Sequence, residues 1–195
     1  MIPLGLCSVV ALAVFLERFW ATRRGAVLPR DMASALLAYA RAGQFDEARA
    51  LCLSRDIALG HIGVVALDGR DLTRSGLKER MEEIGRREAA ELERGIAVVG
   101  TIASIAPLLG LMGTVGGMIR TFAVIQTAGL GDVANLAGGI SEALITTFAG
   151  LCVGIPALVG NRYLLSRVDR SLVELEEVSL ELVDSLVGDE TETAQ

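Results

Sequence analysis

An all-α membrane protein, with three transmembrane helices and long helical cytoplasmic extensions, is the fold class this sequence predicts. Three observations carry that expectation. Three long apolar stretches stand clear of most charged residues, no alternating strand pattern is visible, and basic residues follow the first and third stretches but not the second. Composition agrees: 52% of the 195 residues are hydrophobic, 4% are aromatic, and the mean hydropathy is +0.51. A soluble domain needs a more polar surface than that, and a chain lying wholly in lipid would be more apolar still. The net charge of −6 gathers outside the spans, with an acidic run at Glu174, Glu176, Glu177, Glu181 and Asp184 that reads as a solvated helix face. No basic and aromatic residues interleave as a nucleic-acid surface requires.

The first transmembrane helix is placed at residues 1–20. Its apolar stretch, Met1 to Leu16, is shorter than the roughly 20 residues a crossing needs. Phe19 and Trp20 extend it at the interface, and Arg18 can snorkel. With no basic segment before it and no small-x-small site ahead of the arginines, it reads as a retained span rather than a cleaved signal. The stretch leaves open whether residues precede Met1.

A cytoplasmic helical region is expected over residues 21–95. Pro29-Arg30-Asp31 starts a helix carrying Met32, Leu36, Leu37 and Tyr39, and Gly43 ends it. Phe45, Ala48, Leu51 and Cys52 give the next helix an apolar face, and a short Ile57–Leu67 segment follows, bounded by Gly60 and Gly69. From Ser75 no proline intervenes before Pro107, so one helix of roughly fifty residues, on the order of 75 Å long, is expected to run into the second span.

The second transmembrane helix is placed at residues 96–126, interrupted only by Arg120, and the third at 133–160. The short Gly-rich turn Thr127–Asp132 between them makes an antiparallel hairpin, with Asp132 as a helix N-cap. An amphipathic helix follows at 161–187, with Leu165, Val168, Leu172, Leu175, Leu182 and Leu186 on a near-heptad seam that Ser179 breaks. Residues 188–195 form a disordered tail. Arg18, Arg23, Arg24 and Arg30 after the first span, and Arg162, Arg167 and Arg170 after the third, put the N-terminus outside and the C-terminus inside.

Metal, cofactor and enzyme chemistry find little support. Cys7, Cys52 and Cys152 lack C-x-x-C spacing, and Cys7 and Cys152 read as small core residues within apolar stretches. His61 has no ligand partner at metal spacing and suits a loop or a helix contact. Gly110–Gly117 lacks the Lys-Ser/Thr ending of a phosphate loop. A membrane hydrolase would need a nucleophile beside a histidine or paired acids, and neither is present in the pattern.

Within the spans the informative residues are glycines, threonines and one acid. Pro107, Gly110, Gly113 and Gly117 on span two, and Gly150, Gly154 and Pro156 on span three, are the candidate helix-packing residues, because small residues let backbones approach closely in lipid. Glu142 is the one carboxylate within spans two and three, and a charge there normally faces a cavity or a partner. Thr146 lies on its face one turn on, whereas Thr147 points substantially elsewhere on an ideal wheel. Thr114 shares a small, polar side of span two with Gly110, Gly117 and Thr121. These groups can line a path for a proton. They can equally be helix–helix glue, with Glu142 neutral and bonded to a threonine.

The segment from Thr101 through Pro107-Leu-Leu-Gly-Leu-Met-Gly-Thr114 to Phe122 resembles span two of the MotA/TolQ/ExbB proton-channel family. Gly139-Ile-Ser-Glu-Ala-Leu-Ile-Thr-Thr147 through Pro156-Ala157 resembles its span three. The resemblance implies an inner-membrane subunit that assembles as a homopentamer around a dimer of a one-span ExbD/TolR-like partner. That partner's aspartate carries the proton, and flow down the proton-motive force energises outer-membrane transport or envelope processes, with a TonB/TolA-like protein as a further partner. Carried over position by position, Thr114, Thr147 and Glu142 match the family's polar residues, and Pro107 and Pro156 its prolines. Gly116 stands where tryptophan is usual, and Thr146 where alanine is common, which makes Thr146 an added candidate for the path. A fourth span and a larger cytoplasmic insertion, as in flagellar stators, are absent from this pattern, which favours the ExbB/TolQ branch, ExbB-like first. No cofactor is implied. A non-conducting membrane scaffold is the rival reading.

Overall fold

A computed structural model describes residues 2–23, 27–128 and 133–187, without the side chains of 127, 128 and 133–136. The proposed N-cap Asp132, most of the Gly-rich turn and the tail at 188–195 lie outside the described residues. Seven helices are described: α1 (Ile2–Ala21), α2 (Arg30–Arg41), α3 (Phe45–Leu53), α4 (Ala58–Asp68), α5 (Arg74–Glu93), α6 (Ile96–Ala128) and α7 (Val133–Leu186). The described residues contain no strand, and the class is all-α. The helices form two compact units, Met1–Arg18 with Gly95–Leu164 and Phe19–Arg94 with Leu165–Gln195.

The first unit is built from α1, α6 and the first part of α7. Leu4 and Ala11 of α1 turn inward onto Val99, Ile102, Ala103 and Ala106 of α6 and Ala157 of α7. Around this thin core the polarity is inverted relative to a water-soluble bundle. Leu6, Val9, Leu12, Leu108, Met112 and Phe148 are all more than half exposed. Apolar area of that extent would be unstable in water, and it suits hydrocarbon. Three helices of this chain are long and apolar enough to cross a membrane, over Ile2–Ala21, Ile96–Gln126 and within Ala137–Leu186. Cys7 is half-buried beside the core, but Cys152 is exposed on the outer side of α7, contrary to its reading as a core residue.

The second unit has a conventional apolar interior. Leu36 of α2, Leu59, Ile62 and Leu67 of α4, and Leu77 of α5 are essentially inaccessible, and Leu175 and Leu182 of α7 complete the cluster. Gly43 ends α2 as expected: at φ +70° it donates to the Ala40 carbonyl while Gln44 N–H reaches back to Tyr39, a Schellman closure. Thr73 caps α5, its Oγ1 accepting from Gly76 N–H at 3.3 Å.

Three local expectations are corrected. The single long helix is broken: Arg94 N–H closes α5 onto Ala90 and Glu91, Gly95 takes φ +85°, and α6 starts afresh. Gly60 does not bound a helix but lies inside α4. A Cβ there would stand 2.6 Å from the Cys52 carbonyl oxygen, so the glycine permits close approach to α3. The seam on α7 keeps Val168, Leu175 and Leu182 in the interior but slips by one residue elsewhere. Leu164 and Ser171 are buried where Leu165 and Leu172 were expected, and Val178 packs against the core beside the half-buried Ser179. Ser171 can be buried because its hydroxyl donates to the Arg167 carbonyl at 3.2 Å.

His61 is a helix-contact residue. Its ring nitrogens lie 2.8 Å from Glu88 Oε1 and 2.8 Å from Asp56 Oδ1. Burial alone would lower its pKa, but the bonds to Glu88 and Asp56 and their charges raise it above the usual 6.5. Burial pushes the Cys52 thiol up to about 11.

Candidate functional site in the membrane hairpin

The site lies between α6 and α7 in the first unit, and small residues create it. Read along α6, Gly100, Pro107, Gly110, Gly117 and Thr121 meet Asn161, Gly154, Gly150, Ala143 and Gly139 of α7 in turn. Partner numbers fall as α6 numbers rise, so the two helices are antiparallel. On α7 the contacting residues Gly139, Ala143, Thr146, Gly150 and Gly154 recur every three or four positions, which is one face of a helix. At the centre, backbone meets backbone. A Cβ on Gly150 would lie 2.7 Å from the Ala106 carbonyl oxygen, and one on Gly110 would lie 2.8 Å from the Thr146 carbonyl oxygen.

Pro107 has a place in this seam. It removes an N–H from α6, and its ring occupies the space that Gly154 leaves open. Pro156 also lies inside its helix but is exposed, away from the α6 contact. Gly113 faces the Thr146 side chain, whereas Gly116, at the position where tryptophan was expected, has nothing within 4 Å of a built Cβ.

The threonines are committed to backbone carbonyls. Thr147 donates across the seam to Gly110 O at 3.1 Å. Thr146 lies 3.3 Å from the same oxygen but 2.7 Å from Ala143 O within its own helix, and its one hydroxyl proton favours the shorter bond. Thr147 is therefore the cleaner interhelical donor, although an ideal wheel had turned it away. Thr114 donates to Leu111 O at 2.8 Å on its own helix.

Glu142 is separate from this group. Its neighbour Ala143 is buried in the seam, but Glu142 itself is exposed in the single chain. Among the described residues no threonine hydroxyl donates to its carboxylate. The structure thus brings Thr146, Thr147, Gly110, Gly113 and Gly150 together and leaves Glu142 on the outer flank one turn away. Thr121, read from the sequence on the same small, polar side of α6, is buried in the seam with its hydroxyl on Gly117 O at 3.0 Å. Asn161, against Gly100, also belongs to the seam, and the sequence pattern had not singled it out. The described residues hold no cluster of ligands suited to a metal ion.

Comparison with known proteins covers these same residues. The model of the MotA/TolQ/ExbB proton channel family matches residues 58–177, which contain all of α6 and the part of α7 that forms the seam. An ExbB-like biopolymer transport protein of Synechocystis is 36% identical over 186 residues, 93% of this chain and 73% of that protein. The biopolymer transport protein ExbB of Salmonella typhimurium is 33% identical over 179 residues, 82% of this chain and 68% of its own length. The Tol-Pal system protein TolQ of Pseudomonas aeruginosa is 36% identical over 94 residues, of which the chain spans 41% of the relative. With the family pattern laid over α4 to α7 and relatives on its ExbB and TolQ sides, this chain belongs to the MotA/TolQ/ExbB proton channel family.

Proposed function

We propose that this chain is the proton-channel subunit of an inner-membrane motor, working as a homopentamer around a one-span ExbD/TolR-like dimer. In this reading it uses the proton-motive force to energise an outer-membrane transport or envelope process, with a TonB/TolA-like protein downstream. The observation that carries the reading is the outward position of Glu142. A carboxylate at membrane depth is expensive unless it meets water or a polar partner. The seam beside it is already satisfied by Gly110, Thr146 and Thr147, so the glue reading has no use for Glu142 inside its own chain. A neighbouring subunit or a partner helix would supply the cavity and a proton-carrying group. The N-terminus then lies in the periplasm and the C-terminus in the cytoplasm, as the arginine distribution favours.

Glu142 substitutions test this. In vesicles containing the chain and its one-span partner, Glu142→Ala is expected to abolish partner-dependent proton flux. Glu142→Gln should be milder, since glutamine keeps the size and hydrogen-bonding capacity. Full flux in both variants at equal assembly would remove Glu142 from the path. A wild-type complex that passes no protons under an imposed gradient would favour the scaffold instead.

A further inference from the structure

The end of α1 carries an arrangement that neither the seam nor the proton path uses. Phe19 and Trp20 are consecutive, and each has a guanidinium over its ring. Arg167 of α7 stands 5.3 Å from the Phe19 centroid, and Arg23 stands 5.2 Å from the Trp20 centroid. Trp20 is 66% exposed at the end of an apolar span, the depth at which indole rings meet lipid headgroups.

The choice of partner is informative. In the same unit Arg41, Arg49 and Arg74 each reach a carboxylate on another helix, Glu181, Asp68 and Asp184. Acid is plentiful, with 24 acidic residues against 18 basic ones. Yet among the described residues neither Arg23 nor Arg167 has a carboxylate within salt-bridge distance. A ring covers one face of a guanidinium and leaves its in-plane N–H donors pointing outward. Such a group is held in place while its bidentate edge stays available to a tetrahedral oxyanion. Arg170, one turn beyond Arg167, is occupied differently: it bonds Ser166 O at 3.1 Å and Ser166 Oγ at 3.3 Å.

We propose that the ring-stacked arginines Arg23 and Arg167, with Trp20, form a binding site for the phosphate headgroup of an anionic phospholipid at this end of α1. The aromatic edge fixes the depth, and the two cations supply selectivity for anionic over zwitterionic lipid. Two planar forks, each able to grip the phosphate bidentately, give an expected preference of about ten-fold or more for anionic lipid.

Native mass spectrometry of the purified, delipidated full chain, titrated with phosphatidylglycerol or phosphatidylcholine, tests the site. Wild type should retain phosphatidylglycerol about ten-fold better, and the Arg23→Gln/Arg167→Gln double variant should lose that preference. Arg170→Gln, a control on the same helix, should keep it. Arg23→Lys/Arg167→Lys retains charge without the planar fork and should lose most of it. Equal preference in the wild type and the glutamine variant, or full preference in the lysine variant, would overturn the stacked site. Loss in Arg170→Gln equal to that in the double variant would instead indicate a diffuse charge effect and overturn it too. Displacement of bound lipid by millimolar inorganic phosphate would mark a soluble-anion site and refute the lipid assignment.

Discussion

Replacing Gly150 with alanine places a methyl carbon where a built Cβ lies 2.7 Å from Ala106 O and 3.0 Å from the Gly110 Cα. Both obstacles are backbone, so no side chain can swing away. Comfortable carbon contacts begin near ~3.5 Å, so the helices must part locally by about 0.5–1 Å. At that separation the Thr147 bond to Gly110, now 3.1 Å, passes beyond useful length. Overpacking of this kind costs about 1–3 kcal/mol, and an interhelical hydrogen bond in a membrane adds about 0.6. Alanine's better helix propensity returns about 1 kcal/mol. The net expectation is about 0.5–2.5 kcal/mol of destabilisation, shared by Gly110→Ala, whose Cβ meets Thr146 O at 2.8 Å. Gly116→Ala, with open space around it, should be neutral or slightly stabilising. Unfolding of the purified chain by sodium dodecyl sulfate in mixed micelles, followed by helical circular dichroism, gives the three values. Wild-type stability in both seam variants, or equal damage from Gly116→Ala, would refute backbone contact at this seam.

The threonines should separate by partner-dependent proton flux in vesicles. Thr147→Val should impair it strongly, Thr114→Val measurably and Thr146→Val least, since Thr146 also has an acceptor within its own helix. Flux lost only in Thr146→Val, with Thr147→Val silent, would reverse the assignment. His61 gives a pH test with a definite sign. Its folded pKa is raised, so its contribution is complete below about pH 6.5 and fades as pH climbs through the folded value. Thermal melts of the full chain across that window should show a pH dependence that His61→Gln flattens; an unchanged slope would count against the bridge. Gly95→Ala forces a side chain to φ +85° and should cost about 1–2 kcal/mol in the same detergent titration, whereas Gly85→Ala, with free space around it, should not.

The spans were legible because about 20 apolar residues in a row admit few other structures. The glycine and proline stripes were also visible in the sequence. The wheel misplaced Thr147 because it ranks directions without knowing where the partner helix lies, and Cys152 was read as core from its apolar stretch alone, which in a span can equally face lipid. Gly95 and Gly60 illustrate a different limit. Both are glycines in helical sequence, yet one breaks a helix through its backbone angle and the other admits a neighbouring carbonyl. Only tertiary contacts distinguish those uses. Ser171 went unrecognised as an interior residue because its polarity is satisfied by Arg167 O one turn back, a bond that composition does not reveal.

The chain passes between its two compact units at three places: after Arg18 in α1, at Gly95, and after Leu164 within α7. α1 ends at Ala21 and Gly95 interrupts the second connection, but α7 continues as unbroken helix to Leu186. The two longer connections therefore differ in how they tolerate a change of length. One residue inserted in α7 between Val168 and Leu175, inside the second unit, would turn everything beyond it by about 100° and advance it by about 1.5 Å. Leu175 and Leu182 would then leave the face they share with Val168. The same insertion beside Gly95 falls where the backbone has already abandoned helical phase, and the loop can absorb it. Residue count is thus a fixed quantity along α7 and an adjustable one at Gly95.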